Sequence, residues 1–199
     1  MFKLTLERQI PLAFIIVILL LAVIGFISWR SASSIDDAFK LQKHTQEVLL
    51  TLDDLLILTL NAETGSRGYI NTGKDSFLDA LQSSQTSVPE NISQLRKLVI
   101  DNPEQMARLK NLEIQVNDKL LYLRQATELR RSQGLSEAIN LSNKGRGEEL
   151  MVLIRQSVND MKSSENILLA ERETDLTNRI MAQTRCFYWE VLLELSQSD

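Results

Sequence analysis

The chain has 199 residues, 44% of them hydrophobic and 24% charged, enough for one modest core and too few for a two-domain enzyme. Its lone cysteine, Cys186, excludes an internal disulfide framework, and its lone histidine, His44, excludes a multi-histidine metal cluster. A balance of 22 basic and 26 acidic side chains excludes a broad nucleic-acid surface, which needs clustered excess Lys and Arg.

The first element in chain order is Ile10–Trp29, twenty residues without a charge. At about 1.5 Å per helical residue the run matches a hydrocarbon core of about 30 Å. Trp29 suits the interface, and Arg8 and Arg30 bracket the ends. The expected organisation is a short N-terminus at 1–9, a transmembrane helix at 10–29, a bundle at 30–185 and a tail at 186–199, and the size asymmetry favours a cytoplasmic N-terminus with the bulk of the chain outside. Cleavage after a signal peptide is the alternative, since Ser31-Ala32-Ser33 is small enough, but the apolar run exceeds the roughly 7–15 residues of such peptides. Lys3 and Arg8 on one flank nearly balance Arg30, Lys40 and Lys43 on the other, so charge alone does not set the orientation.

From Arg30 onward the sequence reads as helix. The seam of the first bundle helix is expected at Ile35, Phe39, Gln42, Gln46, Leu49, Leu52, Leu56, Thr59 and Glu63, in steps of three and four. No Pro or Gly separates it from the apolar run, so the two are expected to form one rod. The pattern is expected to stop at Gly65, Gly68 and Gly73. A second face follows at Phe77, Leu81, Val88, Ile92, Leu95 and Val99, with Pro89 forcing a kink or a restart. Asn102 then caps a third helix, with Pro103 at its first position, Glu104 at its positive end and Gln105 at capping-box spacing. Met106, Leu109, Leu112, Val116, Leu120, Leu123 and Thr127 line that helix. Beyond Gly134 a connecting segment with one helical turn leads to a fourth helix lined by Leu150, Ile154, Ser157, Met161, Ser164 and Leu168. No segment alternates as a strand would. The fold class is therefore all-α, an N-terminal transmembrane helix followed by a four-helix bundle.

The stretch Glu63-Thr64-Gly65-Ser66-Arg67-Gly68-Tyr69-Ile70-Asn71-Thr72-Gly73 resembles the signature of the third type of the CHASE superfamily, the cyclase/histidine-kinase-associated sensory extracellular domains. Asp101-Asn102-Pro103-Glu104-Gln105 with Arg108-Leu109 is similar to that family's third-helix start, and Glu128-Leu129-Arg130-Arg131 with Gly134 to its end. Gly145 to Met151, Ile154-Arg155, Leu168, Leu169 and Arg172 are similar to its fourth helix, so the resemblance covers roughly Arg30 to Arg179. It implies a periplasmic or extracellular sensor bundle at a bacterial inner membrane, preceding a histidine kinase, cyclase or chemoreceptor-type output. Such receptors carry a second membrane helix after the bundle. Here Cys186-Phe187-Tyr188-Trp189 is interrupted by Glu190 and Glu194, and a carboxylate at mid-membrane depth costs about 2.5–3.5 kcal/mol. The expectation is a sensor without a second crossing or an output domain, as a truncated or frameshifted receptor would be. The alternative is a single-pass adaptor that pairs with another membrane protein.

The candidate motif is Glu63, Thr64, Gly65, Arg67, Gly68, Tyr69 and Gly73, and it has two readings. In the structural one, Glu63 placed four before Arg67 supports a helix end by about 0.3–0.5 kcal/mol, the glycines allow close packing or a turn, and Tyr69 covers the core. In the other, Arg67 binds an anion and Tyr69 adds a hydroxyl. The loop Asn143-Lys144-Gly145-Arg146-Gly147 reads as a turn with solvated charges, or as a phosphate site at a helix start. Asp53-Asp54 and Glu148-Glu149 are adjacent rather than one turn apart, and Cys186 has no histidine partner. With no Walker loop, dinucleotide fingerprint or zinc spacing, no enzyme activity, metal or cofactor is expected. The expected partners are the membrane, a second copy or a full-length receptor, and a small-molecule or protein stimulus, with no nucleic acid.

Overall fold

Helix α1 spans Leu6–Thr72 and passes through Gly65 and Gly68 before Gly73, at φ 71°, ends it. The structure, a computed structural model, describes the backbone of residues 6–196; the side chains of 1–13, 30–35 and 183–199, and some between, lie outside the description. A 3₁₀ turn at Asp75–Phe77 leads into α2 (Leu78–Leu98), then α3 (Pro103–Gln133), a short α4 (Leu135–Ser142) and α5 (Arg146–Ser196). The segment expected to hold one helical turn is thus the eight-residue α4, which starts after Gly134 at positive φ and is capped at its end by Asn143, with Gly145, also at positive φ, just before α5.

The chain divides into two compact units. In one, Lys43–Glu171, parts of α1 and α5 join α2 and α3 around a main core, and Ile70, Ala126 and Ala138 form a second, smaller cluster. Val48, Leu52 and Leu55 of α1, Val88 and Leu95 of α2, Leu112 and Val116 of α3, and Ile154 and Met161 of α5 are its buried centre. The core is aliphatic, as its sequence implies, and the four long helices make it an all-helical bundle.

Three sequence expectations change. First, α1 buries Val48 and Leu55 where Leu49 and Leu56 were expected, and Phe39 is 67% exposed. Apolar residues at 48–50, 52 and 55–58 occupy more than one face, so period alone does not select the buried side. Second, α2 keeps Pro89 inside one helix of 21 residues, on an exposed position. Third, Asn102 does cap α3, its Oδ1 accepting from the backbone of Glu104 and Gln105 at 3.1 Å, but the reciprocal half of the capping box is missing. The Gln105 amide instead enters the core and donates to the Met161 carbonyl at 3.0 Å and to Glu165 Oε2 at 3.2 Å. Replacing Asn102 with Ala is expected to cost about 1 kcal/mol of stability in urea titration, from the cap alone.

The other unit comprises Met1–Gln42 and Arg172–Asp199. Among its described apolar side chains, Phe14, Ile15, Ile18, Leu21, Ile24 and Trp29 are each more than half exposed. Among the described residues no helix is long and apolar enough to cross a membrane. The run Ile10–Trp29 includes side chains outside that set, as does the tail from Cys186 onward.

Candidate functional site

The last turns of α1 carry the motif, and the helix geometry sorts its residues onto different faces. Glu63 and Arg67, four apart, meet side by side: Arg67 Nη2 lies 2.7 Å from Glu63 Oε1. The other carboxylate oxygen, Oε2, faces inward and lies 3.2 Å from Nζ of Lys119, a residue of α3 that has no exposed surface. Lys119 also donates to the Gly147 carbonyl at the start of α5, at 2.6 Å. One carboxylate thus joins an exposed cation to a buried one, and the buried cation ties α1, α3 and α5 together. Burial pushes the Lys119 ammonium below the ordinary lysine value; Glu63 pulls it back up, while Arg67 and Arg155 push it further down.

Around this group is a partly enclosed cavity of about 110 Å³ lined by Glu63, Ser66, Arg67, Ile70, Lys119 and Tyr122, with Gly147 and Glu148 among the residues that complete it. Tyr122 closes tightly over Gly147, where an added Cβ would meet its ring at 2.7 Å, and its hydroxyl donates to the Leu141 carbonyl at 3.3 Å. The loop read as a turn or phosphate site therefore serves as one wall of the cavity. Arg146, one of its two cations, is exposed and pairs with Glu149 at 3.4 Å.

The remaining motif residues point elsewhere. Thr64 is exposed and donates to the Leu60 carbonyl one turn back, at 2.9 Å. Gly65 and Gly68 face the 3₁₀ turn, where a Cβ would come within 2.5 Å of the Phe77 carbonyl and within 2.4 Å of its ring, respectively. Tyr69 is buried beneath Arg131, whose guanidinium lies 6.0 Å from the ring centre, a cation–π contact. Arg67 and Tyr69 therefore do not share the cavity. Arg130 secures the helix end below Gly73 by donating Nε to the Ile70 carbonyl at 2.7 Å.

Residues 40–175 match the CHASE3 domain family. The chain belongs to this family. The matched span of this CHASE3 chain corresponds closely to the unit Lys43–Glu171. Among solved structures, it is similar to the sensor domain of histidine kinase HK9 from Rhodopseudomonas palustris, with a TM-score of 0.59 and 25% identity over 63% of this chain and 98% of that one. No curated protein matches it.

Lys119 is the residue that sequence reasoning overlooked. The signal was present: position 119 follows Leu109, Leu112 and Val116 in steps of three and four, so a cation there falls on the apolar seam of α3.

Proposed function

We propose that this chain is the sensory module of a bacterial signal-transduction receptor of the histidine kinase, cyclase or chemoreceptor type, held at the inner membrane by Ile10–Trp29 with its bundle on the extracytoplasmic side. The observation that carries the reading is the CHASE3 match over 40–175, whose bundle resembles the sensor domain of a histidine kinase. The uncharged run at 10–29 supports the anchor. The module works by binding: a stimulus with different affinities for two arrangements of α1 and α5 shifts their populations. Joining residues 1–183 to a second membrane helix and a kinase output tests this. Stimulus-dependent output from the chimera supports the reading, and a chimera that folds, inserts and stays silent to every extract tested argues against it. In that chimera Arg67→Ala is expected to lower bundle stability by less than about 0.5 kcal/mol, because the arginine is largely exposed, while reducing the response.

A second reading is a tethered adaptor. It is favoured by Leu50 and Ile57, seven residues apart on α1 and both more than half exposed. Crosslinking through cysteines placed at 50 and 57 in membranes separates the two readings, since an adaptor yields adducts with another membrane protein rather than only with itself.

A further inference from the structure

The cavity beside Lys119 has a charge pattern that selects its ligand. Its lining holds two cations, Arg67 and Lys119, and two carboxylates, Glu63 and Glu148. The lining therefore has no net charge, and an ion of either sign entering alone would leave one member of the set uncompensated. A molecule carrying both charges would not. The donors and acceptors to receive it are present. An ammonium has three N–H donors, and Lys119 uses two, on Gly147 and Glu63. Arg67 engages Glu63 through one nitrogen and is largely exposed, so most of its planar fork faces the opening. The lining also includes the buried apolar side chains of Ile70 and Ala126. At about 110 Å³ the space is far below the roughly 300–1,000 Å³ of sites for drug-sized ligands.

We infer that this cavity binds a small zwitterion, an α-amino acid with a side chain about as large as that of alanine or serine. Its carboxylate takes the Arg67 fork and the spare Lys119 proton, its ammonium lies between Glu148 and the Glu63 oxygen that Arg67 releases, and its short side chain lies against Ile70 and Ala126. Binding replaces one exposed ion pair with two. It also engages α1 through Glu63 and Arg67 and the start of α5 through Glu148, so it acts on the two helices whose arrangement the sensory reading requires. The inference rests on that reading for its biological meaning, but its binding test does not.

The test is calorimetric titration of the detergent-solubilised full chain with L-alanine, L-serine, propionate and ethylamine. Saturable binding of the amino acids is expected, with neither propionate nor ethylamine binding comparably. Arg67→Gln, at an exposed position that leaves the core intact, is expected to weaken L-alanine binding by about tenfold or more. Glu148→Gln, also exposed, is expected to weaken it in the same direction. No saturable binding of either amino acid, propionate binding as tightly as alanine, or unchanged affinity in Arg67→Gln would each overturn the proposal. If the receptor chimera responds to an extract while the amino acids fail to bind, the sensory function stands and this ligand class falls. If they bind and the chimera remains silent, the converse holds.

Discussion

Lys119→Met should lower the unfolding free energy by about 3 kcal/mol, the low end of the roughly 3–5 kcal/mol found when one partner of a buried ion pair is removed. The low end applies because Glu63 keeps Arg67 as a second cation, 2.7 Å away. The loss has two parts. The Glu63 carboxylate, largely withdrawn from water, loses its inward partner, and the Gly147 carbonyl loses its donor. Methionine fills nearly the same volume, so little of the effect comes from a cavity. A cycle with Glu63→Gln isolates the pair: the double variant should be more stable than the sum of the two single losses implies, because neither charge is then left alone. Simple additivity in urea titrations would mean that the two groups do not interact.

The same lysine gives a pH signature. In the unfolded chain it keeps its proton up to about pH 10.4, whereas in the bundle burial makes it lose the proton earlier. Between the lowered folded value and about 10.4 the unfolded state binds more protons, so this group's contribution to stability rises with pH across that window. Below the folded value the full cost of burying the charge is present. Wild type minus Lys119→Met should therefore shift in favour of wild type as the pH is raised towards 10. A flat or falling difference would show that Glu63 offsets the desolvation of the ammonium in full.

How far the sequence could be read depended on how one-sided each helix is. The α3 seam was legible because Leu109, Leu112, Val116, Leu120 and Leu123 stand on one face, and all five are buried. Its cap was legible because Asn102 with Pro103 leaves few alternatives to a helix start. The α1 seam was harder, since leucines crowd several faces and burial is decided by partners far away in sequence. Glu165 shows the same limit. It is 3% exposed, accepting from Thr45 across 120 positions, a contact that local pattern cannot reveal. The candidate site was half legible: the Glu63–Arg67 spacing gives their pairing, but Lys119 and Gly147 join them only through the fold.

Two of the motif's three glycines, Gly65 and Gly68, illustrate the remaining gap, because the sequence pattern breaks at them while α1 runs through both. A helical glycine costs about 1 kcal/mol relative to alanine, so Gly65 and Gly68 persist at a local disadvantage that close packing offsets. The two sites should respond differently to alanine. At Gly65 the new methyl would lie 2.5 Å from the Phe77 carbonyl and 3.1 Å from the Ala80 Cβ, so the backbone entering α2 must move. Overpacking of this kind costs about 1–3 kcal/mol, and the gain in helix propensity recovers only part of it. At Gly68 the contact is nominally shorter, 2.4 Å, but it is with the ring of Phe77, a 39% exposed side chain rather than backbone. Gly68→Ala should therefore be nearly neutral, within about 1 kcal/mol, while Gly65→Ala loses about 2 kcal/mol. Urea midpoints of the two variants measure this directly. The reverse order would mean that Phe77 is an anchor and that the junction between α1 and α2 is held by its side chain rather than by backbone contact.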